Sequence, residues 1–404
     1  MKKYTEIKIL GIYILFFATI ILCLKLIFFN ELLNIKNFLN CDAEHYLWIK
    51  EYGYEGFRVA FFPLFPLIWK LLNVNITGIV LINGVIFLCS FYILIRDLKT
   101  SVYETLIYIS IPSFIFFFLP YTESIFFLCS TLLILGLKYN KTLFICLGLF
   151  LATLSRPAFT IFIPALIISE LMSENKSKLF LRLNLYFSVT LIGILIVAII
   201  QYNDTLEWFK FFSIQKEWGN ELQFPKLPLR SWTGGFIARL DGVALLIGIF
   251  AGSFLTALLL KLKLFREIKI TKEVIFSLAY LGGVSLSVLF FRAGSLFSLN
   301  RFVFATPFII IVFNFWIKQN FSINLKQLLY IFVFIFLFWL LFGSYVNVQT
   351  LLKYLLLTFY VLLIFGIKSD KILQGKIAMV LLIVLNIVFQ IILYVRFLNG
   401  GWVG

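Results

Sequence analysis

Residues 40–66 read NCDAEHYLWIKEYGYEGFRVAFFPLFP. The stretch lies between two long apolar segments and holds the only histidine in the chain, together with four acidic residues, two glycines and two prolines. Read as a helix, Cys41 to Tyr52 puts Asp42 and His45 one turn apart on one face. Tyr46, Trp48 and Ile49 sit beside them at headgroup level, while Glu44, Glu51 and Glu55 form a separate polar face. Gly53 and Gly56 end the helix, because a residue without Cβ takes the left-handed backbone that closes a last turn. Pro63 and Pro66 then interrupt FFPLFP, which is too short to cross a bilayer. The expectation is an interfacial helix, a turn and a re-entrant or surface segment. Asp42 is expected as an exposed interfacial carboxylate.

The rest of the chain explains why this stretch stands out. Of 404 residues, 62% are hydrophobic and 13% charged, and the mean hydropathy is +1.03. A soluble domain is roughly half apolar and a quarter charged, so residues 1–404 read as one integral membrane domain. The net charge is +16. No basic helix or aromatic-interleaved patch supports nucleic acid as a partner. The charge instead marks cytoplasmic loops that meet anionic membrane lipids. Cys23, Cys89, Cys129 and Cys146 lie inside apolar runs and only Cys41 in a loop, without the spacing of a disulfide framework or zinc site. No HEXXH, DXD or clustered histidine set argues for a metal, and no cofactor is expected. The run Ile9–Phe29 follows MKKYTEIK and is longer than a signal-peptide core of about 7–15 residues. It reads as a retained first membrane helix, with the N-terminus cytoplasmic.

Further apolar segments run Ile76–Ile95, Thr105–Leu119, Ile125–Leu137, Thr142–Leu154, Phe159–Ile168, Leu183–Ile200, Val243–Leu260, Val274–Phe291, Phe302–Ile317, Leu328–Gly343, Leu352–Ile367 and Ile377–Val395. With the first, they predict about 11–13 transmembrane helices. Alternating from a cytoplasmic N-terminus gathers Arg96, Lys99, Lys138, Lys141, Lys176, Lys178, Arg182 and the Lys261–Lys272 group in cytoplasmic loops. Lys318, Lys326, Lys368, Lys371 and Lys376 follow. The opposite short loops hold only Arg156, Arg292 with Arg301, and Lys353, which is the positive-inside bias. Two longer loops, about 30–75 and 201–241, fall on the outer side. The second carries Trp208, Trp218 and Trp232, and its Asp204, Glu207, Glu217 and Glu221 read as solvated charges.

The run DAEHYLWIKEYGY followed by AFFPLFPLIWKLL resembles the first-loop signature of the PIG-V-like mannosyltransferases, membrane glycosyltransferases of the GT-C fold. That pattern is Trp-Asp, two residues, an aromatic pair, Ile-Ala, Gly-Tyr, then Ala-Phe-Phe-Pro and a second Pro. It falls on Asp42, His45 with Tyr46, Ile49, Gly53 with Tyr54, Ala60 to Pro63, and Pro66. PYTES at 120–124 resembles the family's Pro-Tyr-Ser-Glu. LSRPAF at 154–159 resembles its Thr-Arg-Pro, and NRFVFATP at 300–307 its later Ser-Arg-Tyr stretch. The chain departs from the pattern at Cys41, where a Trp is usual, and at Lys50, where a small residue is usual. Those departures bear on acceptor and sugar identity more than on fold. The resemblance implies a GT-C-like, all-α polytopic fold. It implies inverting transfer of a hexose, mannose by the family, from a polyprenyl or dolichyl phosphate sugar to a glycan or glycolipid acceptor. The reaction would face the lumen of the endoplasmic reticulum or the outside of a plasma membrane, with Asp42 as catalytic base.

The residues suit that chemistry. A glycosidase needs two carboxylates because its leaving alcohol must be protonated, whereas a lipid phosphate leaves as an anion and needs cations. Asp42 takes the acceptor's proton, with His45 as the rival base. Arg156, Arg292 and Arg301 are the cations on that side, and a guanidinium suits phosphate. Arg156 sits in a tight SRP break, where a charge is expensive without a partner. Glu123 is on the same side and either pairs with it or orients the acceptor, and Tyr121 joins it in the substrate-binding set. The bland readings are that Asp42 caps a helix and that Arg292 and Arg301 anchor helix ends. Two rival functions remain: a transporter or flippase of lipid-linked sugars, and a non-catalytic accessory subunit of a glycosyltransferase complex. A transporter places ionisable groups near the midplane, and here the helix centres are almost free of charge.

Overall fold

The structure is a computed structural model describing residues 7–15, 18–19, 34–173, 176–231, 238–260, 270–343 and 347–403. Most of Ile9–Phe29, all of Lys261–Lys269 and Trp232 lie outside the described residues. Sixteen of the helices that follow are labelled here: α1 (Asp42–Tyr52), α2 (Leu64–Leu72), α3 (Ile76–Leu98), α4 (Val102–Ile109), α5 (Glu123–Tyr139), α6 (Thr142–Ser155), α7 (Phe159–Met172) and α8 (Leu179–Thr205). Next come α9 (Lys210–Glu217), α10 (Ala238–Leu259), α11 (Lys272–Phe291), α12 (Leu299–Phe304), α13 (Pro307–Lys318), α14 (Leu325–Phe338), α15 (Val348–Gly366) and α16 (Ile372–Leu398). Among the described residues the only strand-like pairings are two isolated bridges, Arg230 with Ser295 and Ile323 with Ser369.

Seven helices among the described residues are long and apolar enough to cross a membrane, or eight if the bent pair Pro112–Phe118 and Glu123–Tyr139 forms one span. Helices α6, α7 and α13 are apolar but shorter. The protein is therefore a multi-pass integral membrane protein. Two expected spans are broken. Thr105–Leu119 divides at Pro112 into α4 and a 3-10 turn, Pro112–Phe118, and the latter meets α5 at 108°. Phe302–Ile317 divides at Ala305 because Pro307 opens a new helix at its first position, where its missing N–H is no loss.

Irregular backbone at membrane depth needs polar partners from neighbouring helices, and both ends of the first break have them. Gln390 on α16 donates to the carbonyls of Ile109 and Ile111 at 3.0 and 2.9 Å. Asn386 donates to the Ser110 hydroxyl at 3.2 Å. At the far side Asn83 on α3 donates to the carbonyls of Leu119 and Tyr121 at 2.7 and 2.9 Å. Aromatic packing fills the space between. Phe87 stacks on Phe117 at 4.0 Å between centroids and meets Phe114 edge-on at 5.2 Å, the geometries that ring quadrupoles favour. Elsewhere small residues let backbones close up, as lipid-embedded helices require. A Cβ on Gly282 of α11 would stand 2.9 Å from Gly252 Cα on α10.

Helix α11 defines two ends of the bundle. Lys272 begins it and Arg292 caps it, so a helix of 20 residues, about 30 Å long, separates them. Glu123 and Tyr139 bracket α5 in the same way. One end carries Asp42, Glu123, Arg156, Arg292 and Arg301. The other carries Asp97, Lys138, Glu170, Arg182, Lys272 and Lys318.

Candidate functional site

Helix α1 forms where the sequence placed it, and Gly53 ends it at φ 86°. Its orientation differs from the expectation. Asp42 is only 7% exposed, and Tyr46 and Ile49 are buried in the protein, so these residues do not face headgroups. Arg301 explains the inversion: its Nη1 donates to Asp42 Oδ2 at 2.7 Å, and a carboxylate with such a partner tolerates burial. The Asp42 backbone N–H also donates to the Tyr121 hydroxyl at 3.3 Å. Cys41, which precedes it, holds φ 58°, a conformation costly for any residue but glycine. Burial, with Asp42 nearby, pushes the Cys41 thiol up to about 11.

Four separate breaks in the helices deliver the charged groups. Thr122 ends the bent segment and Glu123 opens α5, fully buried. Arg156 caps α6 in extended backbone, φ −158° and ψ 160°, because a residue before proline avoids the helical region. Arg301 sits on the single-turn helix α12, and Arg292 caps α11. Arg156 donates from Nη2 to Glu123 Oε1, and Arg301 Nε lies 3.0 Å from the same oxygen. A chain therefore runs Asp42–Arg301–Glu123–Arg156. Arg292 stands apart: it donates from Nε to Asn220 Oδ1 at 2.9 Å and from Nη1 to the Phe297 carbonyl at 2.6 Å, both neutral.

One ring ties the three arginines together. The guanidinium carbons of Arg301, Arg156 and Arg292 lie 5.4, 5.7 and 5.7 Å from the centroid of Phe302. No two are further apart than twice that distance, so three cations share one small volume. Burial opposes the charge of Arg301, but the carboxylates of Asp42 and Glu123 outweigh it and hold its pKa above the ordinary value. Arg292 lacks such a partner at contact. Burial and the charge of Arg301 pull it down to about 10, against weaker opposition from Asp241 and Asp42. Free donors remain for a ligand. Among the described residues the Arg156 side chain hydrogen-bonds only through Nη2 and the Asp42 side chain only through Oδ2.

His45 does not join this chain. Its ring packs on Phe57 and Phe61, at 5.2 and 5.0 Å between centroids, and its buried Nδ1 has no hydrogen-bond partner among the described residues. Burial lowers its pKa against the opposing pull of Asp42. The two long loops close over this side together. Trp218 stacks edge-on against Phe57 and Phe61, and Gln201 donates to the carbonyls of Val59 and Phe61 at 2.9 and 3.3 Å. Asp204, expected as a solvated charge, instead accepts from the Tyr54 N–H at 2.8 Å, and a Cβ on Gly53 would strike it at 2.7 Å. It locks the first loop to α8.

Several residues of the site were not singled out from sequence. Asp241 is fully buried behind α12. It accepts from the N–H and Nδ2 of Asn300 at 2.8 Å each and from the Ser231 hydroxyl, so it fixes the turn that presents Arg301. Asn83 holds Tyr121 in place from behind. Asn83 is a polar residue inside an apolar span and Asp241 a charge at the start of one, signals available in the sequence. Phe302 is one phenylalanine among 50, and nothing in its local sequence distinguishes it. Among the described residues no three His, Cys, Asp or Glu side chains gather to hold a cation.

The chain matches no protein-family model, no curated protein and no solved structure. The mannosyltransferase resemblance thus rests on the motif residues themselves.

Proposed function

We propose that the protein is a GT-C-type membrane glycosyltransferase. It moves a sugar, mannose by the motif resemblance, from a polyprenyl or dolichyl phosphate to a lipid- or glycan-linked acceptor on the outer or lumenal side. The observation that supports this reading best is Asp42, with one carboxylate oxygen unengaged, beside three guanidiniums converging on Phe302. A base and an anion cradle in contact are what transfer from a phosphate leaving group requires.

In the proposed reaction the acceptor hydroxyl oxygen attacks the anomeric carbon as the anomeric C–O bond to phosphate breaks. The electron pair of that bond goes to the phosphate, which changes from a singly charged diester to a doubly charged monoester. The hydroxyl proton passes to Asp42 Oδ1, while Arg301 holds Oδ2 and fixes the carboxylate's orientation. Arg292 and Arg156 stabilise the charge that develops on the phosphate. Arg292 is the better placed for a new anion, because its present partners are neutral.

Asp42→Asn tests the reading. Turnover with a polyprenyl phosphate sugar is expected to fall by about 10²–10⁴ per folded molecule, the share of a general base. The variant is also expected to lose stability, by about 1.5–3 kcal/mol for a charged hydrogen bond, so activity must be normalised to folded protein. Full turnover by Asp42→Asn, with donor and acceptor both verified, would overturn the mechanism.

A further inference from the structure

A cavity of about 340 Å³ opens at the end of the bundle away from Asp42, between the last turns of α3, α5 and α13 and the first turn of α11. Lys99, Lys138, Lys318, Asp97, Glu273 and Asn314 line it above an apolar floor that includes Leu98 and Phe315. We infer that this cavity binds the headgroup of an anionic phospholipid whose headgroup also carries hydroxyls. The inference is independent of the transferase reading.

Pairing inside the cavity leaves a specific remainder. Lys138 and Asp97 satisfy one another, with Nζ 2.6 Å from Oδ2, and the Tyr139 hydroxyl takes the other oxygen of Asp97. Lys318 donates only to the Leu98 carbonyl, at 2.8 Å. Lys99 is exposed, and its ammonium has no partner among the described residues. Glu273 accepts from the Thr271 hydroxyl at 2.7 Å through Oε1 alone. Two ammonium groups therefore face one carboxylate, an excess of one positive charge, which one phosphodiester neutralises.

A phosphate alone leaves two acceptors unanswered. Asn314 is 6% exposed in a helix whose only other polar side chain is Lys318, and its Oδ1 is buried without a hydrogen-bond partner among the described residues. An amide in that state is costly unless a ligand donates to it. Asn314 Oδ1 and the second oxygen of Glu273 both call for O–H donors, which a polyol headgroup supplies beside its phosphate. The site lies at the ends of apolar helices, α3 and α11 among them long enough to cross a membrane, and basic pockets between such helix ends hold anionic headgroups.

The test uses delipidated, detergent-purified full-length protein and its thermal unfolding temperature. Phosphatidylglycerol is expected to raise that temperature, and phosphatidylethanolamine and soluble glycerol 3-phosphate are not. Lys99→Ala and Asn314→Leu should each weaken the phosphatidylglycerol midpoint about tenfold or more, as loss of a hydrogen bond to a charged or buried group implies. Lys326→Ala, an exposed lysine outside the cavity, should leave it unchanged. Asn314→Leu keeps the side-chain size and removes a buried polar group, so it should fold at least as stably without lipid. An equal response to phosphatidylethanolamine would overturn the charge match. A response to glycerol 3-phosphate in place of phosphatidylglycerol would overturn the lipid as the source. Midpoints unchanged in both cavity variants would overturn the site.

Discussion

At the Glu170 end of the bundle, most cations answer to the fold. Glu170 is fully buried on α7 and receives Arg182 at 2.8 Å and Lys272 at 3.1 Å, which joins α7, α8 and α11. Lys318 donates to the Leu98 carbonyl at the close of α3, and Lys368 to the carbonyls of Ile317 and Gln319 at the close of α13. Those are the orphan carbonyls and negative dipole of helix C-termini. Around Asp42 the buried cations Arg156, Arg292 and Arg301 bond no helix-terminal carbonyl of another helix, and all three crowd one ring. Two carboxylates in contact partly answer them. Folding alone would disperse such charges, and their concentration at one end is what the proposed anion site rests on, while the arrangement at the other end is chiefly architecture.

This contrast predicts opposite consequences for removing a buried acid at each end. Glu170→Leu should leave catalysis per folded molecule untouched and lower stability by about 3 kcal/mol. The estimate takes the low end for a broken buried pair because Arg182 and Lys272 keep 21% and 15% of their side chains exposed and can turn toward water. A thermal melt in detergent measures it. An unchanged melting temperature would mean that the triad contributes nothing, and the division of labour between the two ends would fail.

Arg156→Lys sharpens the contrast from the other side. The variant keeps the charge opposite Glu123 but loses the planar fork and its unengaged donors. Folding should survive, and donor use should fall by about tenfold, the equivalent of roughly 1.4 kcal/mol. Wild-type kinetics with the lipid-linked donor would reduce Arg156 to a structural partner of Glu123. The anion site would then fall to Arg292, which has no carboxylate in contact.

What the sequence disclosed and what it hid follow one physical line. Helix α1, its glycine stop and the SRP break were legible because they depend on local backbone chemistry. The Glu123 and Arg156 contact was legible as an alternative, because a charge in the membrane demands a partner on its own side. The burial of Asp42 was not legible, since it depends on Arg301, 259 positions away. The same holds for Asp204 as a lock on Gly53 and Tyr54, and for Asn300 with Asp241 behind Arg301. The breaks at Pro112 and Pro307 were hidden by hydropathy, which does not distinguish a straight apolar helix from a bent one whose carbonyls are met by Asn83, Asn386 and Gln390.

The smallest expected effect concerns His45, and it separates the two candidate bases on the first loop. His45 is the only histidine, so a histidine titration below the ordinary value belongs to it. Burial among Phe57 and Phe61 lowers its pKa, so the folded protein favours the neutral ring. The sign follows from proton counting: below about 6.5, the unperturbed value, the unfolded chain binds a proton that the folded chain resists, and stability falls as pH drops. Above that value both states are neutral and His45 contributes no pH dependence. The melting temperature should therefore decline gently as pH falls from 7 toward 5, and His45→Phe should flatten the decline in that window. Turnover above pH 7 should change only a few-fold in His45→Ala, because the ring shares no hydrogen bond with Asp42. A loss as large as that of Asp42→Asn, without a matching loss of stability, would transfer the base from the aspartate to the histidine and leave Arg301 holding a carboxylate whose role is to position the loop.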